Sequence, residues 1–130
     1  MAGQLFDESN WLVYGLKLDH TYTALAITQL VNATTLTRLR VDGISIANDG
    51  ATANVARLYV TNGGVDYLVG SVSVPAHAGE AGNATVFLTS IFDTLPFTVY
   101  ATSQNIIKVS LETQPGVGET VHFMAFVGVV

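Results

Sequence analysis

Hydrophobic and polar positions alternate with a period of two along most of this chain, and no stretch sustains the 3.6-residue apolar period, with capping residues, of a helix. The clearest alternation lies in residues 55–61 and 65–69, which flank Asn62-Gly63-Gly64. A two-residue turn at Asn62-Gly63 or at Gly63-Gly64 suits the primed turn types, whose twist matches that of paired strands. Either turn puts Ala56, Leu58 and Val60 on one face with Val65, Tyr67 and Val69, so two alternations agree on one buried face. Upstream, Leu39 and Val41 share a face opposite Arg38 and Arg40. Beyond Asp42-Gly43 the inward parity moves to Ile44 and Ile46, as a bulge of one extra residue would make it. Asn48-Asp49-Gly50 then reads as a turn.

The remaining segments extend the pattern. Residues 21–31 read as a strand, with Tyr22, Ala24, Ala26 and Thr28 opposite Thr23, Leu25, Ile27 and Gln29. Residues 71–74 form a short strand ended by Pro75, and residues 76–83 a Gly- and Ala-rich exposed loop. Residues 85–91 fit either a strand or a short helical turn, and Leu95-Pro96-Phe97 is a break. Residues 98–101 and 106–113 read as strands, the second with Ile107, Val109 and Leu111 alternating, before a turn at 114–118. The last strand, 119–130, carries Val121, Phe123, Ala125, Val127 and Val129 on one face. His122, Met124, Phe126 and Val130 make its other face nearly as apolar. A strand apolar on both faces is normally covered on both, which predicts a central place in a sheet, one face on the core and the other against a neighbour. Roughly seven to nine short strands with turn signals between them predict an all-β fold, an antiparallel two-sheet β-sandwich wired as a jelly roll. The sandwich is expected over residues 21–130, preceded by an extended N-terminal arm over residues 1–20.

Composition sharpens this picture. The chain has 130 residues, the size of one domain, and no cysteine, which fits a reducing compartment. Only 12% of residues are charged, against about 25% in a typical globular domain, while 49% are hydrophobic. The polar surface must come from Thr, Ser, Asn, Gln and Gly, and a surface so poor in charge is weakly protected against sticking. Two readings compete, a plain Thr-rich β-protein and a surface largely covered by neighbouring subunits, and the second is favoured. The net charge of −5 argues against a nucleic-acid partner, since phosphate binding needs a positive field. No membrane span is expected, because the apolar run over residues 11–18 is too short and includes Lys17. Asp7 and Glu8 precede it where a secretory signal would carry positive charge, so synthesis in the cytoplasm is expected.

Candidate chemistry is sparse. His20, His77 and His122 lie far apart without partners at metal-ligand spacing, apart from Glu80 near His77. No serine sits in a Gly-x-Ser-x-Gly elbow, and Gly79 and Gly82 lack the Lys-Ser/Thr of a phosphate loop. Asp42, Asp49 and Asp66 fall at turns, where such side chains cap backbone groups. Asn32-Ala33-Thr34 and Asn83-Ala84-Thr85 match the glycosylation pattern but lack a secretory context. The expectation is a protein that is not an enzyme and uses no metal or cofactor. Two sets of residues are candidates for partner binding. Arg38, Arg40 and Arg57, three of the five basic residues, would share a face with Tyr59 if their strands paired as a meander. The competing reading is a solvated face whose arginines pair with local acids. Leu5, Phe6 and Trp11 would dock the arm on a neighbouring subunit.

The segment Leu-Arg-Val … Ile-Ser-Ile-Ala-Asn-Asp-Gly … Ala-Arg-Leu-Tyr-Val … Tyr-Leu-Val-Gly-Ser-Val-Ser-Val-Pro-Ala, over residues 39–76, resembles small virion structural proteins of tailed bacteriophages. The stretches around Leu95-Pro96-Phe97 and Lys108-Val109-Ser110-Leu111 are similar as well. These are strand-and-turn patterns and bring no site residues. The resemblance implies a jelly-roll capsid decoration (cement) protein of the virion, commonly a homotrimer, made in the host cytoplasm and bound to the major capsid protein or another virion protein. A tail, collar or fibre-base component is the alternative. A glycan-binding module using Tyr14 and Tyr59 is a third reading, from another class. Because no metal is expected, adding EDTA should leave the thermal unfolding midpoint unchanged; a drop of several degrees would reveal a bound ion.

Overall fold

A computed structural model describes residues 11–32, 38–88, 97–100 and 106–129 of the chain. Their regular elements are all strands: β1 (Trp11–Leu18), β2 (Thr28–Asn32), β3 (Arg38–Asn48), β4 (Asn54–Asn62), β5 (Val65–Val74), β6 (Val86–Leu88), β7 (Phe97–Tyr100), β8 (Ile106–Leu111) and β9 (Val121–Val129). They build two antiparallel sheets. The five-stranded sheet has the order β1-β9-β3-β6, with β7 also on β3, and the four-stranded sheet the order β2-β8-β4-β5. Strand β6 pairs with Ile44 to Ile46 and β7 with Arg38 to Val41, so the two lie end to end along one side of β3. Apart from β6–β7 and the β4–β5 hairpin, every connection crosses from one sheet to the other. That wiring is a jelly roll, the wiring expected of the sandwich though not one that strand periodicity specifies.

The core forms where the inner faces meet. Val121, Phe123, Ala125 and Val127 of β9 and Val41, Ile44 and Ile46 of β3 pack against Ile107, Val109 and Leu111 of β8 and Ala56 and Leu58 of β4. Burying each larger side chain contributes about 1.5–3 kcal/mol relative to leaving it in water. Strand β9 lies between β1 and β3, the central place its two apolar faces predict. The bulge expected at Asp42-Gly43 is present: the register shifts between Val41 and Gly43, which leaves both Val41 and Ile44 inward. A second shift, between Gln29 and Val31, lets the consecutive residues Leu30 and Val31 both be buried.

Three expectations are corrected. Residues 11–18, assigned to the arm, form edge strand β1, paired with β9 from Trp11↔Gly128 to Leu18↔Val121. The sandwich therefore includes them, and residues 1–10 of the expected arm lie outside the described residues. Residues 21–27 are loop, because turn chemistry outweighs their alternation. Asp19 Oδ1 accepts from Thr21 N at 2.9 Å and from Thr21 Oγ1 at 2.6 Å, which closes a tight turn. Tyr22 then folds beneath the loop; its hydroxyl donates to the Ala26 carbonyl at 2.5 Å and accepts from Leu111 N at 3.0 Å. Third, the β4–β5 hairpin does not keep one buried face. Its turn is Gly63-Gly64, with φ of 62° and 82°, the pair of positive angles that a type I′ turn needs. Strand β5 carries an extra residue at Val69, since Leu58 pairs with Gly70 and Tyr59 with Leu68. Parity reverses there, so Val72 and Val74 take the inward positions, while Val65 and Tyr67 at the hairpin tip stay exposed.

The end of the sandwich where β3 crosses to β4 and β5 to β6 is sealed by two buried asparagines. Asn48 Nδ2 donates to the carbonyls of Thr52 at 2.9 Å and Pro75 at 3.3 Å, and its Oδ1 accepts from Gly50 N at 2.9 Å. Asn54 exchanges two hydrogen bonds with the backbone of Thr113, at 2.8 and 3.2 Å. Glu119 accepts from Gly116 N and Ala51 N, tying two loops together, and a Cβ on Gly50 would lie 2.7 Å from its carboxylate. Replacing Asn48 by Ala strands a buried N–H and two carbonyls, so Asn48→Ala should cost about 2–4 kcal/mol in urea unfolding. Val117→Ser, at a side chain 87% exposed, should leave the midpoint unchanged.

Candidate interaction surface

The two outer faces of the sandwich differ in how far they satisfy themselves. On the four-stranded sheet, β4 and β8 present Arg57, Tyr59 and Thr61 beside Ser110 and Lys108. Arg57 pairs with Glu112 at 3.1 Å, Tyr59 Oη bonds Ser110 Oγ at 2.9 Å, and Lys108 Nζ lies 3.1 Å from Asp66 Oδ1. Thr61 Oγ1 donates to that same Asp66 oxygen at 2.5 Å. The hydrogen bond from Thr61, joined by Lys108, holds the Asp66 carboxyl below its ordinary value of 3.8. Tyr59, Thr61 and Ser110 are buried within the chain itself, although they face outward. This face needs no partner to satisfy its polar groups.

The outer face of the five-stranded sheet is built differently. His122, Met124 and Phe126 stand in a row along β9. Register places Lys17, Gly15 and Val13 of β1 beside them on one side and Ala47, Ser45 and Gly43 of β3 on the other. Met124 thus rises between Gly15 and Ser45, a ridge with low ground on both sides. Val13 is 56% and Met124 42% exposed. At one end, His122 Nε2 lies 3.4 Å from Asp49 Oδ2, whose Oδ1 accepts from Thr120 N at 2.6 Å. Among the described residues Lys17 has no ion-pair partner. The face offers shape, apolar area and, among the described residues, one cation outside any ion pair. Its small residues are scattered through the sequence and acquire meaning only from the register that brings them beside Met124.

The arginine grouping expected from sequence is not formed. Strand β3 belongs to the five-stranded sheet and β4 to the other, so no meander joins Arg38 and Arg40 to Arg57 and Tyr59. Arg40 Nε contacts Asp42 at 2.7 Å and Arg57 contacts Glu112, both local acids. Tyr59 is only 8% exposed, and Tyr14 packs against the core, so the two aromatics named for a glycan platform are not presented as one. Leu5 and Phe6 lie outside the described residues, as do the side chains of Trp11 and Arg38. His77 Nδ1 lies 2.8 Å from Glu80 Oε1 at the surface. No group of three or more metal-ligating side chains occurs among the described residues.

No protein-family model matches the chain, and no curated protein does. Among solved structures it is similar to the nucleoplasmin-like N-terminal domain of Drosophila FKBP39, at 13% identity over 96% of each chain, with a TM-score of 0.46. It is also similar to a chain of the cyanophage Pam1 capsid asymmetric unit, at 15% identity over 93% of this chain and 86% of that one, with a TM-score of 0.47. At these identities and TM-scores neither likeness bears on what the chain does.

The Asp66 network gives a pH test. Its depressed pKa contributes stability that is present above 3.8 and lost as pH falls through the folded-state value. Wild type should therefore lose stability as pH falls from about 5 to below that value. Asp66→Asn should be less stable at neutral pH and show a flatter acid limb, read from urea midpoints across the series.

Proposed function

We propose that this chain is a structural virion subunit that binds the outer surface of a capsid and reinforces it, as a decoration (cement) protein, with the outer face of the five-stranded sheet as its contact. The observation that carries this reading is the contrast between the two faces. One satisfies its polar groups internally, while the other leaves Met124 and Val13 in water above the low ground of Gly15 and Ser45. An exposed apolar surface with shape marks an interaction site on a folded protein. The low charge content supports the reading, because a chain with only 12% charged residues has few ionised groups to keep its surface free of neighbours. The sequence resemblance to small virion proteins supplies the setting, with the major capsid protein as partner. A tail or collar position would use the same surface at far lower copy number.

Quantitative mass spectrometry of purified virions tests the placement. A decoration protein should be present in lattice-scale numbers relative to the major capsid protein, whereas a few copies per particle would move it to the tail. Met124→Lys should keep the fold, since the side chain faces outward, and weaken particle binding roughly ten- to a hundredfold, as expected for losing about 1.5–3 kcal/mol of burial. Deleting residues 1–10, which carry Leu5 and Phe6, should leave a folded sandwich that associates poorly with the particle.

A further inference from the structure

The connection from β1 to β2 carries an apolar run that the fold does not use. Ala24, Leu25, Ala26 and Ile27 are consecutive and all exposed, Leu25 by 51% and Ile27 by 42%. Such a run on a surface is unfavourable unless it serves a function. Leu25 carries a second cost. Its backbone lies at a φ of 67°, in the left-handed region where a Cβ crowds the following carbonyl. A glycine would make the same turn without that crowding, and an asparagine with less of it. Leu25 also stands apart from the residues that form the core or pack against it. Neither backbone nor core therefore calls for leucine here.

The loop is nonetheless held firmly. Tyr22 N donates to the Asp19 carbonyl at 3.0 Å, Ala26 N to Thr23 at 3.0 Å, and Leu25 N to Leu111 at 2.8 Å. The Tyr22 hydroxyl ties Ala26 to Leu111 from beneath. Strained residues persist where their surroundings fix them, and they gather at sites of binding. A side chain fixed in advance also lowers the entropy cost of association.

Position and charge narrow what the loop meets. Lys17 and His122 lie at one end of the Met124 face, and only Leu18 separates Lys17 from Asp19 at the start of the loop. The loop thus continues that face around the end of β1. Among the described residues, Asp19 and Glu119 are the carboxylates outside any ion pair. Glu119 is committed to the backbone of two loops, whereas Asp19 stands exposed beside the apolar run. The Thr21 hydroxyl holds the Asp19 carboxyl below its ordinary value of 3.8, so it stays ionised.

We propose that residues 23–27 are an anchor that seats Leu25 in an apolar pocket of the capsid protein, with a lysine or arginine at the pocket rim facing Asp19. This rests on the capsid-binding reading above. A single fixed leucine beside a carboxylate suits a pocket in a protein, since loops and helices that enter a bilayer surface surround their apolar groups with basic and aromatic residues.

Binding of the purified chain to capsids stripped of it tests the anchor. Leu25→Gly and Leu25→Asn should have urea midpoints no lower than wild type and bind capsids about tenfold more weakly. Leu25→Met keeps an apolar side chain of similar volume and should bind within about twofold of wild type. Asp19→Asn can still accept from Thr21; it should bind more weakly than wild type at low salt, with the difference gone at about 1 M salt. Wild-type binding that Leu25→Gly and Leu25→Asn both match would overturn the anchor and leave the Met124 face as the contact. Lower urea midpoints in both variants would overturn it too, because Leu25 would then serve the fold. So would Asp19→Asn binding equal to wild type at every salt concentration, or Leu25-dependent binding to phosphatidylcholine vesicles. Wild type that does not bind stripped capsids would overturn the capsid reading and the anchor with it.

Discussion

The wiring of the two sheets is the constraint on which the rest of this structure depends. Nearly every strand hands the chain to the opposite sheet, so the connections at the ends must cross the core's rim and leave their backbone groups without ladder partners. Asn48 answers this at the rim where the β3–β4 and β5–β6 connections meet, since its one amide serves Gly50, Thr52 and Pro75. Its own backbone N–H donates to Ala78 at 2.9 Å, which holds the β5–β6 loop down so that Ala78 itself is buried. Asn54 closes the neighbouring corner on Thr113, and the Tyr22 hydroxyl accepts from Leu111 N beyond the end of the β2–β8 ladder. An apolar residue at any of these places would pack well and still leave carbonyls unmet.

Bulges are the second device, and they decide which side chains reach the core. A strand with strict alternation could not bury both Val41 and Ile44, or both Leu30 and Val31. The bulge at Asp42-Gly43 was legible because the apolar residues on both sides break parity around a glycine. The one at Val69 was not, because Val65, Tyr67, Val69 and Val72 offer apolar residues in either parity, and only the register with β4 distinguishes them. The same ambiguity hid β1. Leu12, Tyr14, Leu16 and Leu18 alternate cleanly, but Val13 blurs the other phase and Gly15 interrupts it. Turn chemistry explains the opposite error at residues 21–27, where an alternating pattern coexists with an Asp19 cap that local alternation cannot weigh.

The candidate surface was less legible than the fold for a related reason. The apolar second face of β9 was visible in His122, Met124 and Phe126, and its central place follows from that face. What makes this face a shaped surface is the company of Gly15, Gly43, Ser45 and Ala47, drawn from two strands far apart in sequence. The arginine grouping failed for the converse reason. A turn at Asn48-Asp49-Gly50 joins β3 to β4 in sequence, but the chain crosses sheets there, so adjacency along the chain gives no adjacency in space.

Charge scarcity ties these features together. With few ionised groups, the chain has only a thin charged shell to keep copies apart, and three of its five basic residues are paired within the chain. Arg40, Arg57 and Lys108 each meet an acid of their own chain, and those pairs are too exposed to stabilise the fold by much. Their larger effect is to neutralise the faces on which they sit. Solvation of the remaining surface then falls to Thr, Ser and Asn hydroxyls and amides, which lose little when another surface covers them with equivalent hydrogen bonds. Such a surface is a poor one for a protein that must remain alone and a good one for a subunit held among neighbours. Among the described residues, the Met124 ridge and the β5 edge leave several apolar side chains exposed together, and contact there would be favourable.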